Sequence, residues 1–221
     1  MKTWKLPALV GALGLVASLL FALNYPAVEL LGTKVRLPVF HGASTWANLM
    51  IFAGMLVSAV LYLVRGGDWR YNRSFAFRVV AVGLWLVGTV LGFIAALNTW
   101  DFTGALTPAW QLMMEDPRLV IQIVVTLLGI GLLVVPLIVE SKRAKAAIDA
   151  GFVLVVWVGL AVAMNVGSNL HPDSPVLNSD DMLIKALFFA MVLGQLLMGL
   201  SFAAAITNWL NSRSALRPGA E

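Results

Sequence analysis

The chain has 221 residues, of which 60% are hydrophobic and only 12% charged, with a formal net charge of +4. That balance excludes an ordinary soluble domain. With no cysteine, the chain has no disulfide and no thiol chemistry, and its basic excess is spread over short loops, pointing to anionic lipid headgroups and not to nucleic acid.

Charge-free windows run over 6–28, 37–64, 79–100, 119–139, 150–172 and 186–212. Each exceeds the roughly 20 residues a helix needs to cross the hydrocarbon core. The expectation is an all-α integral membrane protein, a six-transmembrane-helix bundle forming a single membrane domain over 1–221. The helices are placed at about 6–28, 37–64, 76–100, 119–139, 150–170 and 183–210. Lys2 and Lys5 precede the first span as they would a signal peptide. Its apolar run is too long for one and no small-x-small site follows, so a retained helix is expected.

The second span opens at Phe40-His41, and His41, Ser44, Thr45 and Asn48 recur at three- and four-residue spacing. They form one helical stripe, which within a membrane should face the bundle interior. Loops of about 10 residues are expected at 65–78 and 140–149, with longer segments at 24–40, 98–118 and 168–185. The N-terminus, the two short loops and the tail carry 11 of the 15 Lys and Arg residues. By the positive-inside rule both termini are then cytoplasmic, and the longer segments, where His41 and His171 lie, are outside.

Asp116 and Pro117 open the fourth span, a pattern that helix capping alone explains. Arg118 is less comfortable at a helix N-terminus and is a candidate partner for an anionic group; Lys34, Arg36 and Lys185 are weaker ones. Gln122 and Gln195 are expected to hydrogen-bond between helices. Most tryptophans are expected to anchor the interfaces. No glycine-rich phosphate loop, Ser-His-acid set or acidic pair within a helix supports hydrolysis or phosphoryl transfer. No intramembrane ionisable group or inverted repeat is evident, so transport finds no support either.

His41 and His171 are the only histidines. Neutral imidazole is a common iron ligand, and two of them can complete the axial positions of a single haem b. The plainer readings are an interfacial histidine beside small packing residues and a solvated loop histidine before a proline. Residues alone leave these alternatives open.

His41-x4-Trp46 at the start of a long helix resembles the HxPxxW opening of the cytochrome c biogenesis haem-handling family, the CcmC and CcsA proteins. The segment from Trp110 to Asp116-Pro-Arg118 is similar in place to that family's tryptophan-rich WGxxWxWDxR motif, and Leu170-His171 to its second Leu-His. The resemblance covers about 135 residues. It implies a haem b held near the outer face by His41 and His171, with Trp46, Trp110, Asp116 and Arg118 around it; Ser44 and Asn48, from the helical stripe, would be hydrogen-bonding neighbours of the ligand. It further implies a carrier more than a catalyst, in a prokaryotic-type inner membrane, with cytochrome c assembly proteins and membrane lipid as partners. One departure is that Leu112, Met113 and Met114 stand where the family has its tryptophan cluster. Loss of that aromatic platform points to an alternative: a cytochrome b subunit that relays electrons and anchors an extracytoplasmic respiratory oxidoreductase.

Overall fold

The structure, a computed structural model, describes residues 4–28, 31–100, 107–166, 176 and 178–214. Among these, six helices are long and apolar enough to cross a membrane: α1 (Lys5–Leu23), α2 (Arg36–Arg65), α3 (Asp68–Thr99), α5 (Pro117–Ile138), α6 (Lys142–Asn165) and α7 (Met182–Ser214). A short α4 (Ala109–Met113) precedes α5, and a 3-10 turn at Thr33–Val35 leads into α2. The chain is therefore a multi-pass helical membrane protein. An even number of crossings leaves the start of α1 and the end of α7 at the same face. That face is here called the basic face, and the opposite one the histidine face.

The expected short loops are mostly helix. The segment 65–78 is reduced to a reversal at Gly66-Gly67, and 140–149 to the turn Val139–Ser141. Gly66 and Gly67 have φ of 62° and 90°, which side chains other than glycine rarely adopt. Charge marks where the hydrocarbon ends, not where a helix ends. At 1.5 Å per residue, a helix of 32 residues spans about 48 Å, enough to cross the headgroup layers as well. α1, in contrast, stops at Leu23, five residues before its expected end. Pro26 disfavours helix in the residue before it, and the Asn24 amide donates to the Leu20 carbonyl at 2.8 Å.

α2 and α3 are the central pair. α7 packs on both, α1 packs on the outside of α7, and α6 and α5 close the other side. The main core joins Ile51, Phe52 and Met55 to Phe77, Val82 and Trp85, with Val125 of α5 and Phe152 and Val156 of α6. Phe52 sits at its centre, its ring centroid 5.7 Å from both Trp85 and Phe152. Between α1 and α7 the backbones nearly touch. A Cβ on Gly14 would lie 2.7 Å from the Gly194 carbonyl oxygen, and the Ser18 hydroxyl donates to the Met191 carbonyl at 3.2 Å. Small residues permit that approach, the usual means of joining helices in lipid.

At the basic face, sequence reasoning placed Arg78 and Asp149 in loops and saw no ionisable group within a span. The structure corrects this. Arg78 of α3 and Asp149 of α6 are 0% and 1% exposed and form a bidentate pair, Nε to Oδ1 at 2.6 Å and Nη2 to Oδ2 at 2.8 Å. The Ser74 hydroxyl donates to the same carboxylate at 3.1 Å. Both residues immediately precede charge-free windows, so a reading by charge assigned them to the boundary. Around them, Lys142 pairs with Asp68 at 2.6 Å and Arg143 donates to the Leu63 carbonyl, binding α6 to the α2–α3 turn.

Removing one member of a buried pair strands the other charge, at a cost of about 3–5 kcal/mol in soluble proteins. Arg78→Met and Asp149→Leu should each lower the thermal stability of the detergent-purified protein markedly, while Arg78→Met/Asp149→Leu together recover most of it. Singles that unfold like the wild type would show that the pair does not hold α3 to α6.

Candidate functional site

The expected stripe on α2 does face inward. His41 lies in the first two turns of α2 with its ring against Gly92 of α3. A Cβ on Gly92 would sit 2.6 Å from the imidazole Cε1 and 2.9 Å from Nε2. Glycine at that position is thus what allows a ring between the helices. The Ser44 and Thr45 hydroxyls donate to the carbonyls one turn earlier, Phe40 at 2.9 Å and His41 at 3.1 Å. One turn deeper, buried Asn48 donates from Nδ2 to the Ala81 carbonyl of α3 at 3.1 Å.

A polar seam continues onto α5. The Thr89 and Thr126 hydroxyls are 2.8 Å apart, the Trp85 indole donates to the Gln122 carbonyl at 3.3 Å, and the Gln122 amide reaches Thr89 at 3.4 Å. Gln122 thus bonds between helices as expected. The Gln195 amide nitrogen, in contrast, is buried with no hydrogen-bond partner among the described residues. Ser44, Thr45, Asn48, Trp85, Gly88 and Gln122 line a void of about 10 Å³, the size of roughly one water molecule.

The other predicted residues are not gathered into this seam. Trp46 lies about 140° around the helix from His41 and is 45% exposed. Trp110, on α4, is 63% exposed, while its neighbour Met113 is buried against Ala96, Trp100 and Leu119. Asp116 is buried, and its carboxylate accepts from the backbone N–H groups of Arg118 and Leu119 at 2.8 and 3.2 Å. It caps α5, with Pro117 at the first helical position, as the capping pattern predicts. Arg118 is half-buried at the start of α5. His171 lies outside the described residues.

Sequence reasoning missed two features near the histidine face. Arg36 donates to the Tyr25 carbonyl at 3.0 Å, and the buried Tyr25 hydroxyl donates to the Ile184 carbonyl at 3.2 Å. Burial, with the Asp181 carboxylate nearby, pushes the Tyr25 phenol up to about 12, so it remains a donor at neutral pH. These contacts tie the connection before α2 to the start of α7, and Arg36 is thereby occupied as a structural anchor. In the sequence, Asn24-Tyr25-Pro26 shows only turn chemistry, and nothing local marks Tyr25 as buried.

Interhelical hydrogen bonds in membranes average about 0.6 kcal/mol. Asn48→Ala should therefore cost no more than about 1 kcal/mol in a thermal or denaturant titration, leaving helicity unchanged. A loss of several kcal/mol would show that the seam is a principal support of the bundle and not a lining.

Compared with known proteins, the chain matches no protein-family model and no curated protein.

Proposed function

We propose that the chain is a haem b-binding membrane protein of the cytochrome c assembly type, with His41 and His171 as axial ligands near the histidine face. The observation that carries this reading is the placement of His41: an imidazole on the interior side of a spanning helix, given room by Gly92. The resemblance of its sequence context to haem-handling proteins supports it. Bound haem would supply an iron centre with two axial positions, which imidazole nitrogens suit.

The fit has a definite limit. The donor chemistry of His41 suits the group, but the void beside the stripe holds about 10 Å³, far too little for a porphyrin. The void between α2, α3 and α5 is therefore not where these residues would hold the group. His41 would supply an imidazole nitrogen, Gly92 gives its ring room between the helices, and Thr45 ties the His41 carbonyl to the next turn. Arg118 is the candidate to pair with a propionate. The Asp116 carboxylate caps the helix on which Arg118 sits. By the distribution of Lys and Arg, the basic face is cytoplasmic and the haem site lies outside.

One observation favours the alternative, a cytochrome b subunit relaying electrons within a respiratory complex. α4 buries Met113 and exposes a single aromatic side chain, Trp110, so no aromatic shelf for presenting haem to a partner is formed by these residues. The pocket is the same in both readings, and the partners differ.

Visible spectra of the purified protein, oxidised and dithionite-reduced, test the shared claim. A low-spin b-type spectrum is expected, lost in both His41→Ala and His171→Ala. No haem in native and haem-supplemented preparations would overturn it. Transfer of bound haem to an apo-acceptor without redox turnover would establish the carrier; turnover with quinol or cytochrome c without transfer would establish the relay.

A further inference from the structure

On the outside of the bundle, α3 and α7 diverge to leave an open apolar groove of about 370 Å³, lined by Val80, Gly83 and Val87 of α3 and Phe202, Ala205 and Ile206 of α7. Nothing lies within 4 Å of where a Gly83 side chain would begin, so this glycine provides space and not a helix contact.

Followed toward the basic face, both walls change character in the same way. On α3 the three- and four-residue steps from Val87 through Gly83 and Val80 reach Ala76, Arg73 and Trp69. On α7 the steps from Phe202 and Ile206 reach Trp209 and Arg213. The Arg73 guanidinium carbon lies 5.7 Å from the Trp69 ring centroid and 5.8 Å from that of Phe77, and Arg213 is 4.2 Å from Trp209. Elsewhere at this end the Asn72 amide donates to the Asn211 carbonyl oxygen at 2.7 Å, holding α3 to α7. Among the described residues the ion pairs are Arg78–Asp149 and Lys142–Asp68, so neither Arg73 nor Arg213 has a carboxylate partner there. Stacking uses the face of a guanidinium and leaves its N–H edges available to phosphate oxygens.

We propose that this groove binds one anionic phospholipid, with an acyl chain against Gly83 between α3 and α7 and the phosphate held by Arg73 and Arg213. Charge decides the occupant. A neighbouring helix would fill the apolar wall equally well but would leave two cations unpaired at its end. A zwitterionic lipid would bring its own cation to the phosphate. Juxtamembrane Lys and Arg residues raise affinity for anionic lipid by on the order of fivefold each.

The site is independent of haem binding, and the full-length protein as purified serves for the test. It is reconstituted into nanodiscs of equal phosphatidylglycerol and phosphatidylcholine with matched acyl chains, then released for native mass spectrometry. The wild type should retain one phosphatidylglycerol in preference to phosphatidylcholine by roughly 25-fold, two such contributions together. Arg73→Gln/Arg213→Gln should abolish most of that preference, and Gly83→Leu, which fills the groove, should remove the retained lipid whatever its headgroup. Equal retention of both headgroups by the wild type would overturn the proposal, as would a preference that survives both variants. A dimer that Gly83→Leu dissociates would overturn it in favour of a second copy of the chain. Circular dichroism checks the fold; if Gly83→Leu misfolds, the exposed-end arginine variant decides.

Discussion

The antiparallel contact of α2 on α3 governs the rest of the molecule. Within a membrane two apolar helices gain little by excluding lipid, so close approach and a few polar contacts must specify the pairing. Here a glycine stands beneath a ring at each end of the contact: Gly54 against Phe77 and Gly92 against His41. Between these points Asn48 bonds to the Ala81 carbonyl. The reversal at Gly66-Gly67 brings the two helices together with almost no intervening chain. With that pair in place, Phe52 and Trp85 form the centre against which α6 packs, and α7 takes the remaining side.

Polarity is segregated along the same axis. The basic face holds a buried ionic lock, Arg78 with Asp149 and Ser74, backed by the exposed Lys142–Asp68 pair at the turns. Toward the histidine face the seam is uncharged: hydroxyls, amides, an indole and one imidazole. Such a division suits a protein that is held rigid from one side and works at the other.

The six spans were legible because each window without charge is longer than the bilayer requires, a constraint few other folds satisfy. The inward turn of the His41 stripe was legible from spacing alone, as was the capping by Asp116. Helix ends were not, because helices continue past the hydrocarbon into the headgroup layers, carrying Asp68, Arg70, Arg73 and Lys142 with them. Arg78 and Asp149 were misassigned for a further reason: a pairing between residues 71 positions apart leaves no local pattern. Trp46, which a motif resemblance groups with His41, lies five residues further along the helix on another, exposed face.

Everything functional in this account passes through the position of the His41 ring. Electron paramagnetic resonance of the oxidised, haem-loaded protein tests that position directly when the wild type is compared with Gly92→Ala. The account predicts a low-spin, bis-imidazole signal in the wild type. In the variant it predicts substantial conversion to high spin, because the new Cβ would meet the ring at 2.6 Å and turn it away. A wild type that takes up no haem, or an identical low-spin signal in both proteins, would contradict it.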